Sequence, residues 1–235
     1  MKVSGETLQT LAAFTQINGN LLIREGNIQG SVSNGKNIFC RARLEDSFPK
    51  EFGIYNVREF LDTLTFDINP ELEFQEECVK VSYSDLELYH YYTHPDVIRQ
   101  APDKDIELGD VFYSFDFTRT LQQKLKKFTK NFRDSISCLA LEAKGGSVKL
   151  NAMKEKKIPK KHGLFDYEYQ PIFSADIGKS NHEFSIRFCP KNLSVPLELE
   201  YEARLDDRKF LHLKAKDREL QYWLAIEPNS FLPKC

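Results

Sequence analysis

Between Asp116 and Arg133 the apolar residues Phe117, Leu121, Leu125, Phe128 and Phe132 recur at steps of four, four, three and four. That spacing stacks them on one side of an α-helix and predicts an amphipathic helix over 116–133, roughly 27 Å long, with Asp116 capping its start. At about 100° per residue, Arg119, Lys126, Lys130 and Arg133 fall nearly opposite the stripe, and Lys124 and Lys127 lie on its flanks. No carboxylate interrupts this row. Amphipathic helices more often carry such a face simply as solvated surface, and on the pattern alone that reading stays open.

The rest of the chain alternates between the helical and the two-residue period. Thr7 to Asn18 reads as a helix after the possible caps Ser4 and Gly5, and Gly19 stops it. Strands are expected at Asn20 to Glu25 and Ile28 to Val32, then, past an Asn34-Gly35 turn, at Asn37 to Leu44 and Phe52 to Tyr55. Asn56 caps a helix over VREFLDTL, whose Val57, Phe60, Leu61 and Leu64 share one face, and Asn69-Pro70 ends it. Three close strands follow, Glu71 to Glu76, Val79 to Tyr83 and Leu86 to Tyr92. The stretch from Thr93 to Gly109 has two prolines and little periodicity and reads mostly as a linker.

Beyond it the order starts again. A strand at Val111 to Phe115 precedes the basic helix, and Ser137 to Ala143 with Ser147 to Met153 form a hairpin about Gly145-Gly146. Strands at Phe165 to Ile172 and His182 to Phe188 lead to a short helix over CPKNLS, with Pro190 at its first position. Strands at Leu197 to Leu205, Arg208 to Ala215 and Glu219 to Ile226 close the chain. Helix, hairpin, helix and three-stranded meander thus occur twice, which predicts an α+β protein of two similar domains, residues 1–95 and 110–235, joined by a linker over 96–109. Each copy offers two helices to one face, which sets Arg58 and Lys191 beside the basic row.

Composition narrows the field. At 235 residues, 41% apolar and 29% charged, the chain has the make-up of a globular protein with one large or two medium cores. No apolar run approaches a membrane span, and MKVSGETLQT lacks the apolar middle of a signal peptide, so the protein is expected to stay where it is made. Five scattered cysteines without a CxxC pair indicate neither a disulfide framework nor a zinc site. Net charge is only −2, yet Asp62 to Asp110 holds 13 acids against three bases, and Asp116 to Lys161 holds 13 bases against four acids. Such segregation suits one surface to a polyanion and makes another repel it.

Five segments, MKVSGETLQTLAAFTQIN, FGIYNVREFLDTLTF, APDKDIELGD, FTRTLQQKLKKF and YWLAIE, resemble in order and nearly in spacing the DNA polymerase sliding clamp of T4-like bacteriophages. The resemblance covers the full length. It implies a head-to-tail homotrimeric ring with helices lining the hole, encircling duplex DNA without sequence preference and tethering the DNA polymerase. By that resemblance Arg58, Arg119, Lys124, Lys126, Lys127, Lys130, Arg133 and Lys191 are the DNA-binding cations. It also implies edge strands at Glu87 to Tyr92 and Leu164 to Tyr169 meeting between subunits, with Tyr89, Tyr91, Tyr167 and Tyr169 in the contact. These tyrosines are equally readable as ordinary cross-strand pairs within one sheet. Partner peptides would dock near Val97, Ile98, Ile106, Phe231 and Leu232, though apolar residues there can also be local packing. The first helix departs from the pattern, with no cation between Gly5 and Asn18 and only Lys2 and Arg24 near its ends.

The resemblance further implies a separate ATP-dependent clamp loader, a role in viral late transcription, and action in the cytoplasm of an infected bacterial host. No Walker loop, GxGxxG after a strand or GxSxG is present, so no enzyme and no cofactor are expected. His90 and His94 lie in a strand pattern that does not set two imidazoles around one metal. The Lys154 to Lys161 run reads as a flexible solvated loop, a localisation signal, or a loop brushing DNA. Two competing classes remain: a monomeric nucleic-acid-binding module with an open basic helix, and a structural β-rich interaction protein whose lysines serve solubility.

Overall fold

The computed structural model describes residues 1–159, 165–193, 195–196 and 199–233. Lys160, Lys161, Leu164, Leu197 and Cys235, which figure in the expectations above, lie outside the described residues. The chain divides into two compact units, Met1–Ile106 with Arg218–Trp223, and Glu107–Asp217 with Leu224–Cys235. Among the described residues no helix is long and apolar enough to cross a membrane.

In the first unit α1 (Gly5–Phe14) starts where Ser4 Oγ accepts the Thr7 N–H at 3.2 Å, while the Ser4 N–H donates to Asp46 Oδ2 at 2.8 Å. Strand β1 (Leu21–Ile23) pairs with β4 (Phe52–Ile54), and β2 (Gly26–Val32) pairs with β3 (Ile38–Phe48), all antiparallel. Helix α2 (Val57–Leu64), capped by Asn56 as expected, buries Val57, Phe60 and Leu64. The meander β5 (Glu71–Phe74), β6 (Cys78–Ser82) and β7 (Glu87–Tyr91) leaves β7 as an edge strand. Leu11, Phe14, Ile23, Ile54, Phe60, Val79 and Val81 are fully buried and form this unit's core, each contributing about 1.5–3 kcal/mol by leaving water.

The second unit repeats the plan with longer strands. It contains β8 (Val111–Phe117), α3 (Arg119–Asn131), β9 (Cys138–Lys144), β10 (Ser147–Pro159), β11 (Phe165–Lys179) and β12 (Phe184–Phe188). Strands β13 (Tyr201–Asp206) and β14 (Phe210–Ala215) follow, and β15 (Leu220–Ala225) begins in the first unit and ends in the second. The order β11-β10-β9-β12 places β11 at an edge. The internal repeat shows in the wiring: the segment before the first helix pairs with the first meander strand in each unit. Met1 exchanges backbone hydrogen bonds with Leu72, and Phe117 of β8 lies opposite Tyr201 of β13.

Three expectations change, and the segment read as a linker makes fixed contacts. The basic helix begins after Thr118, because Asp116 and Phe117 complete β8. The lysine-rich run through Pro159 is strand, paired residue by residue with β11, and not a loop. Of CPKNLS, Pro190–Leu193 form a 3₁₀ turn, and Ser194 lies outside the described residues. The linker is tied down: Arg24 pairs with Asp103 at 2.5 Å and donates to the Ala101 carbonyl at 2.8 Å, and Arg41 pairs with Asp105 at 3.4 Å, all within the first unit. In the second unit the Gly109 and Asp110 N–H groups donate to the Asp206 and Asp207 carboxylates, both at 2.9 Å. The hairpin turn between β9 and β10 matches its sequence, since Gly145 and Gly146 adopt φ 58° and 82°, the left-handed pair that a two-residue turn requires.

Candidate nucleic-acid interface

Helix α3 is anchored at three points. Thr118 Oγ1 accepts the Leu121 N–H at 3.3 Å and caps the start. Leu125 is buried, and the Phe128 ring lies 5.0 Å from Phe173 of β11 and 4.6 Å from Phe132. Gln122 is 1% exposed, its Nε2 donating to the Phe117 carbonyl at 2.8 Å and the Leu199 carbonyl at 2.9 Å. That anchor escapes the apolar pattern because the residue is polar, although its place beside Leu121 and three before Leu125 sets it on the inward side.

Arg119, Lys124, Lys126, Lys127 and Lys130 are exposed on α3, and Arg133 is exposed in the 3₁₀ turn Arg133–Ser135 that follows. Among the described residues none of the six makes an ion pair. Asp116, expected to cap the helix, sits on β8 against Lys216 at 2.7 Å, and their contact raises the Lys216 pKa. Like charges three or four apart, such as Lys124 with Lys127 and Lys126 with Lys130, each cost a helix about 0.2–0.5 kcal/mol. A face of this kind is stabilised when an external polyanion occupies it. Arg58 is exposed on α2 in the first unit, and Lys191 is exposed in the 3₁₀ turn of the second. Near α1, Arg24 is already committed to Asp103.

The four tyrosines are placed differently. Tyr89 and Tyr91 are 48% and 68% exposed on edge strand β7. The Tyr89 hydroxyl donates to Glu87 Oε2 at 2.9 Å, and Glu87 also takes Lys80 at 2.6 Å; these bonds, the Lys80 one first, lower the Glu87 pKa. On edge strand β11, Tyr167 is 53% exposed with Lys157 Nζ 6.0 Å from its ring. Tyr169 turns back on its own sheet, donating to Glu155 at 3.0 Å beneath the Arg187 guanidinium, 4.2 Å from its ring, and packing on Cys138, Ala140 and Met153.

Of the expected partner groove, Val97 is exposed and Ile98 is buried, and both line a cleft of about 560 Å³ with Asn20, Asn34, Lys36, Asp96, Arg99 and Gln100. Ile106 is half-buried at the end of the first unit. Phe231 and Leu232 belong to the second, where Phe231 exchanges backbone hydrogen bonds with Ser185. His90 packs on Phe60, ring centroids 5.0 Å apart, and His94 Nδ1 accepts the Asp96 N–H at the start of a 3₁₀ turn.

No family model matches the chain. A curated relative, the sliding clamp of Vibrio phage KVP40 (isolate Vibrio parahaemolyticus/Japan/Matsuzaki/1991), is 28% identical over 97% of this chain and 99% of its own length. Over nearly its whole length this chain is similar to that sliding clamp. Its fold agrees: A. fulgidus PCNA, solved with the C-terminal region of FEN-1, matches with a TM-score of 0.63 at 14% identity, over 96% of this chain and 97% of that one. The β subunit of Pseudomonas aeruginosa DNA polymerase III matches with a TM-score of 0.60 at 14% identity, over 98% of this chain but 66% of that one. This chain is therefore close to the PCNA chain in length and shorter than the bacterial β subunit.

Proposed function

We propose that the clamp closes as a head-to-tail homotrimer around duplex DNA, with α3 turned to the duplex, and tethers the DNA polymerase. The observation that carries this reading is the row of six exposed cations without a described ion pair, backed by an apolar and Gln122-anchored underside. Lys and Arg contacts to phosphate hold a duplex without choosing a sequence, so the contacts can be exchanged along it and the protein can slide. Arg58 of the first unit and Lys191 of the second are assigned to phosphate contact as well. Strands β7 and β11 are the edges that would meet between subunits, Tyr89 and Tyr91 from one side and Tyr167 from the other, with Tyr169 holding the second sheet behind the contact. Loading is assigned to a separate ATP-dependent protein, and the place of action to the replication machinery of the infected cell. Val97, Ile98 and Ile106 of one unit, and Phe231 and Leu232 of the other, are the residues assigned to partner peptides.

The test is retention on DNA. Loaded clamp is expected to stay on circular duplex and to run off the same DNA once it is linearised, and native mass spectrometry is expected to give a trimer. A strict monomer, lost equally from both forms, would instead favour an open basic patch. Replacing Lys126, Lys130 and Arg133 with Glu is expected to abolish polymerase stimulation while leaving the unfolding transition in place; unchanged stimulation removes α3 from DNA contact.

A further inference from the structure

Strands β10 and β11 outrun their sheet. Among the described residues β9 pairs only with Ser147–Met153 of β10, so beyond Met153 the two strands continue as a two-stranded ribbon. In it Lys154 lies opposite Gln170 and Lys156 opposite Glu168. A ribbon without a core of its own is held by its ladder and by whatever its faces touch.

Strand alternation decides which face carries what. Ala152 is fully buried and lies opposite Phe173, whose ring meets Phe128 of α3, so even-numbered residues of β10 face the helix side of the sheet. Met153 and Glu155 lie on the other side, where Tyr169 packs on the first and bonds the second. Lys154 and Lys156 therefore project from the same side of the sheet as α3. Both are exposed, and neither makes an ion pair among the described residues. Among the described side chains, Glu168 is the one carboxylate of the ribbon on that face.

We infer that the ribbon is a second phosphate-contacting element of the clamp, with Lys154 and Lys156 taking the backbone of the same duplex that α3 faces. The inference rests on the reading of α3 as the DNA-facing helix. It is compatible with ring closure, because closure uses the backbone edge of β11 and leaves the helix-side face of the ribbon open. Its ligand is a run of phosphodiesters without sequence readout, since two lysines supply charge and no fork for a base edge.

The experiment compares salt dependence. Binding of a fluorescein-labelled duplex is followed by anisotropy from about 50 to 200 mM NaCl for the wild-type protein, Lys154→Gln/Lys156→Gln, Lys126→Gln/Lys130→Gln, and a first-unit control, Lys104→Gln. Each lost phosphate contact lowers the steepness of log K against log salt by about 0.9, so the ribbon pair is expected to lower it by about 1.8 for each subunit in contact with the duplex and the control not at all. Unchanged mass and thermal transition in the ribbon variant secure the comparison. A ribbon slope equal to the control, with the α3 pair still lowered, overturns this inference and leaves the proposed function standing. A wild-type slope in both the ribbon and the α3 pair overturns both. A ribbon variant that no longer assembles while single subunits bind DNA normally assigns the lysines to the subunit contact and overturns the phosphate reading.

Discussion

Gln122 ties the basic helix α3 to its unit, and Gln122→Leu tests that tie. Leucine keeps an apolar side chain of similar reach at a position 1% exposed but supplies neither donor, so the Phe117 and Leu199 carbonyls lose the bonds they receive at 2.8 and 2.9 Å. A buried polar group stranded in this way costs about 1–3 kcal/mol. Two carbonyls, offset by about 0.8 kcal/mol for each methylene-sized group that replaces polar surface, give an expected loss of about 2–4 kcal/mol. For a chain of this length each kcal/mol lowers Tm by about 2–4 °C, so the transition is expected to fall by about 5–15 °C. Circular dichroism melting and urea unfolding read the change. The exposed neighbour supplies the control, because Gln123→Leu makes the same chemical change on the solvent side and is expected to stay within about 0.5 kcal/mol of the wild-type protein. Equal losses from both variants, or a Gln122→Leu loss under about 1 kcal/mol, would refute the anchoring role.

Two further outcomes follow from the first unit. A Cβ on Gly53 would stand 2.2 Å from the Thr93 carbonyl oxygen and 2.6 Å from Ile98 Cδ1, and the first of these is backbone that cannot swing aside. Gly53→Ala is therefore expected to destabilise by about 1–3 kcal/mol, read by urea midpoint, and a wild-type midpoint would show that Thr93 moves freely. Burial alone would raise the Asp46 pKa, but hydrogen bonds from Ser4 and Thr7 outweigh it and hold the carboxyl below its ordinary value. A lowered folded value means stability that is present at neutral pH and lost as pH falls below about 4 through that value. Asp46→Asn is expected to flatten this acid-side fall in urea midpoints, and identical profiles would remove Asp46 from the linkage.

Much of this was legible in the sequence where local chemistry decides. Helix α2 ends where its cap and its i, i+3, i+4, i+7 face end, and the Gly145-Gly146 turn fixes its hairpin. The start of α3 escapes the pattern because Phe117 satisfies two periods at once, standing four before Leu121 on a helix and buried at the end of β8 opposite Tyr201. The lysine strand was invisible because KEKKIP lacks apolar alternation; its conformation comes from pairing with β11, which local propensity does not encode. The ties on the linker join residues such as Arg24 and Asp103 that lie far apart in the chain, and no local pattern signals them. Gln122 was missed because a polar letter in a polar stretch reads as surface, whereas its amide answers two carbonyls inside the fold.

The uncommitted state of the α3 cations sets the terms of the proposed contact with a duplex. A lysine already clasped by a carboxylate would have to break that clasp first, and its grip would depend on an internal rival as well as on the medium. Here the described rivals are dissolved ions alone, so the strength of hold should be tunable by ionic conditions without any rearrangement of the protein itself.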